Sequence, residues 1–267
     1  MKGRSMVEKV ITTNMTTQQF IFDEPLYKKI KISENSQILS DLMKQISIDG
    51  FNSRRGLDST FRLEGGLYSY SERSGSVEQI EFVCQRYRDR LYVQIHYDRN
   101  KDIIEKVGQY PSVADIQISQ IKQYSKVLGN QYMKDFTKAI GLAANGVGTG
   151  SFVYLRRIFE YLVHEAAYVA IANGDVDEQT FATSKMDQKL KLLENYLPDV
   201  LKDNKPLYGV LSKGIHELSE DECLEYFSVV REVIELILDE REYLRQQEEK
   251  KKRARNNLSI IAGKLKG

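Results

Sequence analysis

Apolar residues recur along this chain in two rhythms. Ile80, Phe82 and Cys84 alternate with polar neighbours, and so do Leu91, Val93, Ile95 and Tyr97. A period of two puts every second side chain on one face, so both runs predict half-buried strands. The polar stretch Gln85-Arg-Tyr-Arg-Asp-Arg90 between them reads as a turn. Phe61 to Tyr70 predicts a further strand of an antiparallel meander, kinked at Gly65-Gly66. One helix is expected in this part, over Ser36 to Ser47, where Ile38, Leu42 and Ile46 share a face and Ser36 stands in the cap position.

Beyond about residue 110 the period lengthens to that of a helix. Val113 to Leu128 follows a cap at Ser112, and Tyr132 to Ala144 follows in turn. Phe152 to Ala172 carries a stripe of Leu155, Ile158, Phe159, Leu162, Ala166 and Val169, ended by Asn173-Gly174. Ser184-x-x-Asp187 and Ser219-x-x-Glu222 are capping boxes before two further helices. The second holds Leu224, Phe227, Val230, Val233, Ile234, Ile237 and Leu238 and extends into a charged stretch from Arg241 to Arg255. These elements predict an α+β chain: a small N-terminal β-meander region with a helix over residues 1–105, a larger all-α helical bundle over 106–248, and a charged helical tail over 249–267.

The chain of 267 residues has a net charge of +1, but the charge is unevenly spread. Residues 1–150 carry +4, residues 151–248 carry −9 and residues 249–267 carry +6. No run of apolar residues reaches the ~18 that a membrane-spanning helix needs. Met1 to Val10 holds no apolar signal segment. Cys84 and Cys223 are the only cysteines, too few for a disulfide framework, and a reducing cytoplasm is the expected setting. Only three histidines are present, and none has metal-ligand spacing with its neighbours, so neither a metal nor a cofactor is expected.

Four segments carry candidate chemistry. Asn145-Gly-Val-Gly-Thr-Gly-Ser151 precedes a helix, where backbone N–H groups can hold a phosphate. It lacks the lysine of an ATPase loop and the preceding strand of a dinucleotide fold, and it reads better as a turn, with Gly146 ending one helix and Ser151 capping the next. On the next helix Arg157, Tyr161, His164 and Tyr168 share a face, with Glu160 in reach of Arg157 or His164. An imidazole beside a guanidinium suits acid–base and phosphate work. Leu211-Ser-Lys213-Gly-Ile-His216-Glu217 places a third histidine just before a capped helix. Finally, Arg86-Tyr87-Arg88-Asp89-Arg90-Leu-Tyr92, with Arg54-Arg55 upstream, interleaves arginine with tyrosine on a strand surface, which suits stacking and phosphate contact. Lys251 and Arg253 in the tail add unspecific, salt-sensitive affinity for nucleic acid or an acidic partner.

Ser151 to Ala170 resembles an opening helix of the HEPN superfamily (higher eukaryotes and prokaryotes nucleotide-binding). Tyr208 to Glu240 resembles its later turn and helix, with a histidine at the turn. Lys106 to Ser112, Gly150 to Glu160 and Lys213 to Ser219 carry a closer similarity to bacterial proteins that join an N-terminal β region to such a domain. The resemblance covers about residues 105–240. It implies a helical bundle, often a homodimer, and for many members metal-independent ribonuclease activity in toxin or phage-defence systems. Arg157, His164 and His216 would then be catalytic, with RNA contacts at Arg156 and Lys213 and at Arg86, Arg88 and Arg90. The family's motif is an arginine followed, after four to six residues, by a histidine. Arg157 and His164 meet that spacing on the early helix, whereas the family's motif lies near the later one. Before His216 the nearest cation is Lys213, which lacks the planar fork of arginine. The alternative is a non-catalytic module that dimerises or docks a protein partner.

Overall fold

The computed structural model describes residues 15–67, 75–203 and 206–264. The chain divides into two compact units, Met1–Gln120 with Ala144–Gly146, and Ile121–Ala143 with Val147–Gly267.

The first unit is built on a curled six-stranded antiparallel sheet. Its strands are β1 (Ile30–Lys31), β2 (Ser47–Asn52), β3 (Leu57–Gly65), β4 (Ser76–Cys84), β5 (Arg90–Asp98) and β6 (Ile103–Tyr110). Strands β2 to β6 follow one another as a meander, and β1 joins the far edge beside β6, pairing Ile30 with Ile104. Phe61, Leu63, Ile80, Phe82, Val93 and Ile95 point into one core, with Phe20, Ile21, Ile38 and Leu42 from the helices α1 (Thr17–Phe22) and α2 (Ser36–Leu42). Each such buried side chain contributes about 1.5–3 kcal/mol relative to exposure.

This architecture corrects the expected fold. The N-terminal region is not a small meander with one helix. It is a six-stranded sheet carrying two short helices, and β6 runs across the expected boundary at residue 105. The cause lies in β6 itself. Glu105 and Lys106 are both buried, so the strand shows no alternation of apolar and polar residues. Lys106 points into the core, where its ammonium donates to the Ile21 carbonyl and to Gln109 Oε1, each at 2.9 Å. Glu105 faces the other way and meets His96 Nδ1 at 2.9 Å. The helix expected over Ser36 to Ser47 stops at Leu42, and Ser47 already belongs to β2. Its cap position is Asn35. The part of the expected strand at Tyr68 to Tyr70 lies outside the described residues.

Ser112 and Asp115 cap α3 (Val113–Ile121) reciprocally. A turn of 3₁₀ helix at Lys122–Tyr124 then separates α3 from α4 (Ser125–Ala144), within which Gly129 has φ 63° and kinks the backbone. The second unit centres on α5 (Gly148–Ala172), whose Phe152, Leu155, Ile158, Phe159, Leu162 and Val163 are buried. Short helices α6 (Glu178–Thr183), α7 (Met186–Leu192) and α8 (Asp199–Asp203) lead to α9 (Leu207–His216). The chain ends in α10 (Glu220–Lys264), 45 residues and so about 68 Å long. Ser219 and Glu222 form the expected capping box at its start. The box expected at Ser184 does not form. Its hydroxyl bonds the Thr180 carbonyl at the end of α6, and Lys185 takes the cap position of α7.

Helix α9 runs antiparallel to α5. Tyr208 stacks near Phe159 and accepts a bond from Arg156, while Gly214 lies flat on Phe152. A Cβ at Gly214 would sit 2.0 Å from the Phe152 ring, so only glycine permits this approach.

Candidate nucleic-acid interface

At one end of the sheet the β2–β3 turn meets the β4–β5 turn. The first is shaped by Asn52, whose side chain is buried. Its Oδ1 accepts the backbone N–H groups of Arg54 and Arg55 at 3.1 and 3.3 Å, an Asx turn that pushes both arginines outward. Its Nδ2 donates to Asp89 Oδ2 at 3.1 Å in the second turn. Arg55 Nε donates to the same oxygen at 2.8 Å. Asp89 therefore ties the two turns together. Arg55 beside it, with Asn52, holds its carboxyl below the usual carboxylate range.

The second turn closes around Cys84. Its N–H donates to the Asp89 carbonyl at 2.8 Å, and Arg88 adopts φ 63° to complete the bend. The Tyr87 N–H points at Cys84 Sγ, 3.4 Å away. Burial opposes ionisation of this thiol, but hydrogen bonds from the Tyr87 and Arg86 N–H groups and from the Ser59 and Asn52 side chains together bring its pKa below the ordinary value.

Five guanidiniums crown these two turns. Arg55 and Arg86 stand over the Tyr87 ring, at 5.1 and 5.2 Å from its centroid, and Arg54 stands 5.9 Å from that of Tyr110. Arg55, Arg88 and Arg90 have carboxylate partners in Asp89, Glu64 and Glu81. Arg54 and Arg86 pair with no carboxylate among the described residues, and both are exposed. Tyr110 is 59% exposed. Guanidinium planes beside the exposed Tyr110 and the half-buried Tyr87, on two turns joined through Asn52 and Asp89, can accept both phosphates and unstacked bases.

The helical candidates are arranged differently. Arg156 Nε pairs with Glu160 at 2.8 Å, so Glu160 serves neither Arg157 nor His164. Arg157 faces the fully buried Asp135 at 3.4 Å. His164 sets its ring edge-on to Phe181, and Tyr161 turns to Glu165 and stacks on Tyr132. His216 and Lys213 are exposed on the last turn of α9, and His216 bonds nothing among the described residues, Glu217 included. Because Gly214 lies on Phe152, His216 sits by the N-terminal end of α5. His164 lies twelve residues beyond Phe152 on that helix, a rise of about 18 Å along its axis. Among the described residues no contact joins Arg157, His164 and His216; Arg157 faces Asp135 and His164 faces Phe181.

The glycine segment is the expected helix-to-helix turn, with Gly146 at φ 79° closing α4, but Ser151 does not cap the next helix. Gly148 to Gly150 already belong to α5, and Ser151 bonds back to the Gly148 carbonyl at 2.6 Å. The free N–H groups of Gly148 and Thr149 are held by the Glu220 carboxylate, so the place a phosphate would take is filled by the protein's own anion. In the tail, Lys251 pairs with Glu248 at 2.8 Å and Arg253 is exposed on α10. Among the described residues no cluster of three or more His, Cys, Asp or Glu side chains forms a metal site, and no helix is long and apolar enough to cross a membrane.

Asn52, Asp89, Tyr110 and Glu220 were not singled out from the sequence. For Asn52 a signal exists: Asn-Ser-Arg-Arg-Gly between two strands is an Asx-turn pattern. Comparison with known proteins brings no match: no family model fits the chain, and no curated protein or solved structure is significantly similar to it.

Proposed function

We propose that this protein binds single-stranded nucleic acid, RNA in the first instance, through the arginine–tyrosine end of its sheet. One observation carries the reading: Arg54, Arg55 and Arg86 lie beside Tyr110 and Tyr87 on two turns locked together by Asp89. Arg54 and Arg86 supply charge that enters no close ion pair among the described residues. The tyrosines supply stacking faces that tolerate any base. A cytoplasmic setting belongs to the same proposal, supported by two buried free cysteines that need no oxidation. Binding rather than cleavage is the function favoured, because acid–base catalysis needs its groups within about 3 Å of the reacting atoms, and the two helical histidines stand at different levels of α5.

Fluorescence anisotropy with a labelled single-stranded RNA tests this. The wild type binds with an affinity that falls as salt rises. Replacing Arg54 and Arg86 by alanine weakens binding and makes the log–log salt slope shallower by about 1.4, at about 0.7 per lost phosphate contact. An unchanged slope removes the proposal.

A further inference from the structure

Helix α10 carries an apolar stripe that the described residues of its own unit leave partly uncovered. Cys223, Phe227, Val230, Ile234 and Ile237 face the core of the second unit. On a different face Tyr226, Val229, Val233 and Leu236 follow each other at spacings of three, four and three. Val229 is 59% exposed and Leu236 46%. With Leu207 and Val210 of α9, Tyr226, Val229 and Val233 line an almost wholly apolar groove of about 530 Å³.

The far end of the same helix has the opposite problem. From Gln247 on, nearly every described residue is exposed, including Leu258, Ile260 and Ile261. A solitary helical arm with Lys250 to Arg253 in one run gains little from propensity alone and needs packing to persist. Ala254, Leu258 and Ile261 share one face of it, at spacings of four and three.

We infer that the groove is filled by the C-terminal arm of a second copy of this chain, with the two α10 helices antiparallel and the exchange reciprocal. Three features support this occupant. The spacings mate in reverse: Val229, Val233 and Leu236 meet Ile261, Leu258 and Ala254 of the other copy. The charges mate as well. Residues 220–240 hold eight carboxylates and one cation, whereas residues 250–255 hold five cations and no acid. In this register the cationic run 250–255 lies level with residues 235–240, which hold Glu235, Asp239 and Glu240. Lastly, the arm cannot fill its own groove, because Ile261 lies thirty-two residues from Val229 on one continuous helix, about 48 Å away. This inference does not depend on nucleic-acid binding by the sheet, and each can fail without the other.

Light scattering on the full-length protein, with cysteine cross-linking, tests it. The expected mass is twice the 30.8 kDa of one chain. Val229→Glu and Ile261→Glu, both at exposed positions where a lone chain loses no core packing, each shift the protein to a monomer with unchanged circular dichroism. Under mild oxidation an equal mixture of Val229→Cys and Ile261→Cys proteins forms a covalent dimer, while Val229→Cys alone forms none; the native Cys84 and Cys223 are buried. A monomeric wild type, a dimer indifferent to both glutamates, or a cross-link formed by Val229→Cys alone would overturn the inference.

Discussion

Lys106 makes the folding stability of the first unit rise with pH. Its side chain is 1% exposed, its ammonium is served among the described residues by the Ile21 carbonyl and Gln109, and it lies 5.9 Å from the centroid of the Phe20 ring. Burial lowers its pKa from 10.5 to about 7, against the smaller opposing pull of Glu24 and Asp23. The unfolded chain therefore holds this proton up to about pH 10.5, and the folded chain gives it up near pH 7. Between those values the unfolded state binds more protons, so stability increases as pH rises, by up to about 1.4 kcal/mol per pH unit. Over the whole window the gain is on the order of 5 kcal/mol. Lys106→Met keeps the volume of the side chain and removes the titration. It also orphans the Ile21 carbonyl, at about 1–3 kcal/mol. The expected result is a variant more stable than wild type at pH 6, whose advantage shrinks steadily and is lost or reversed by pH 10. Urea denaturation of both proteins at matched pH values, followed by circular dichroism, measures the difference while other titrating groups cancel. Parallel stability curves from pH 6 to 10 would refute the reasoning.

Further predictions address the helix ends and the interface. Glu220→Ala removes the acceptor for the Gly148 and Thr149 N–H groups and should cost about 1–2 kcal/mol, measured as a lower urea midpoint at unchanged slope. Gly214→Ala drives a methyl into the Phe152 ring and should lower the melting temperature clearly, whereas alanine at the exposed Lys213 should not. Tyr110→Ala should weaken RNA binding by about 1–3 kcal/mol with little change in salt slope, since it removes stacking and no charge. Asn52→Ala unties the Asx turn from Asp89 and should weaken both folding and binding, which separates it from the exposed arginines.

What the sequence made legible follows from how local each feature is. Strands β4 and β5 were readable because their alternation is decided by one buried face. The cap at Ser112 and the box at Ser219 were readable because each is complete within four residues, whereas at Ser184 the hydroxyl turns back to the Thr180 carbonyl of α6. Strand β1 was not, since two residues carry no period and its partner Ile104 lies over seventy positions away. Strand β6 was masked by Lys106 and Glu105, whose burial depends on partners in α1 and β5. The site divides in the same way. Arginine alternating with tyrosine in one turn is visible in the sequence, and the structure adds what joins it to Arg54 and Arg55, namely Asn52 and Asp89. The helical constellation of Arg157, His164 and His216 depended on the register between α5 and α9. That register is set by Gly214 lying on Phe152, a contact that spacing along the chain does not reveal.

The central claim places RNA on the arginine–tyrosine end of the sheet. Ultraviolet cross-linking of the full-length protein to a single-stranded RNA, followed by peptide mapping, tests it most directly. Adducts are expected on Tyr87 and Tyr110, and they should be lost when Arg54 and Arg86 are both alanine. Adducts confined to the helices α4, α5 or α10, with none on those two tyrosines, would contradict it.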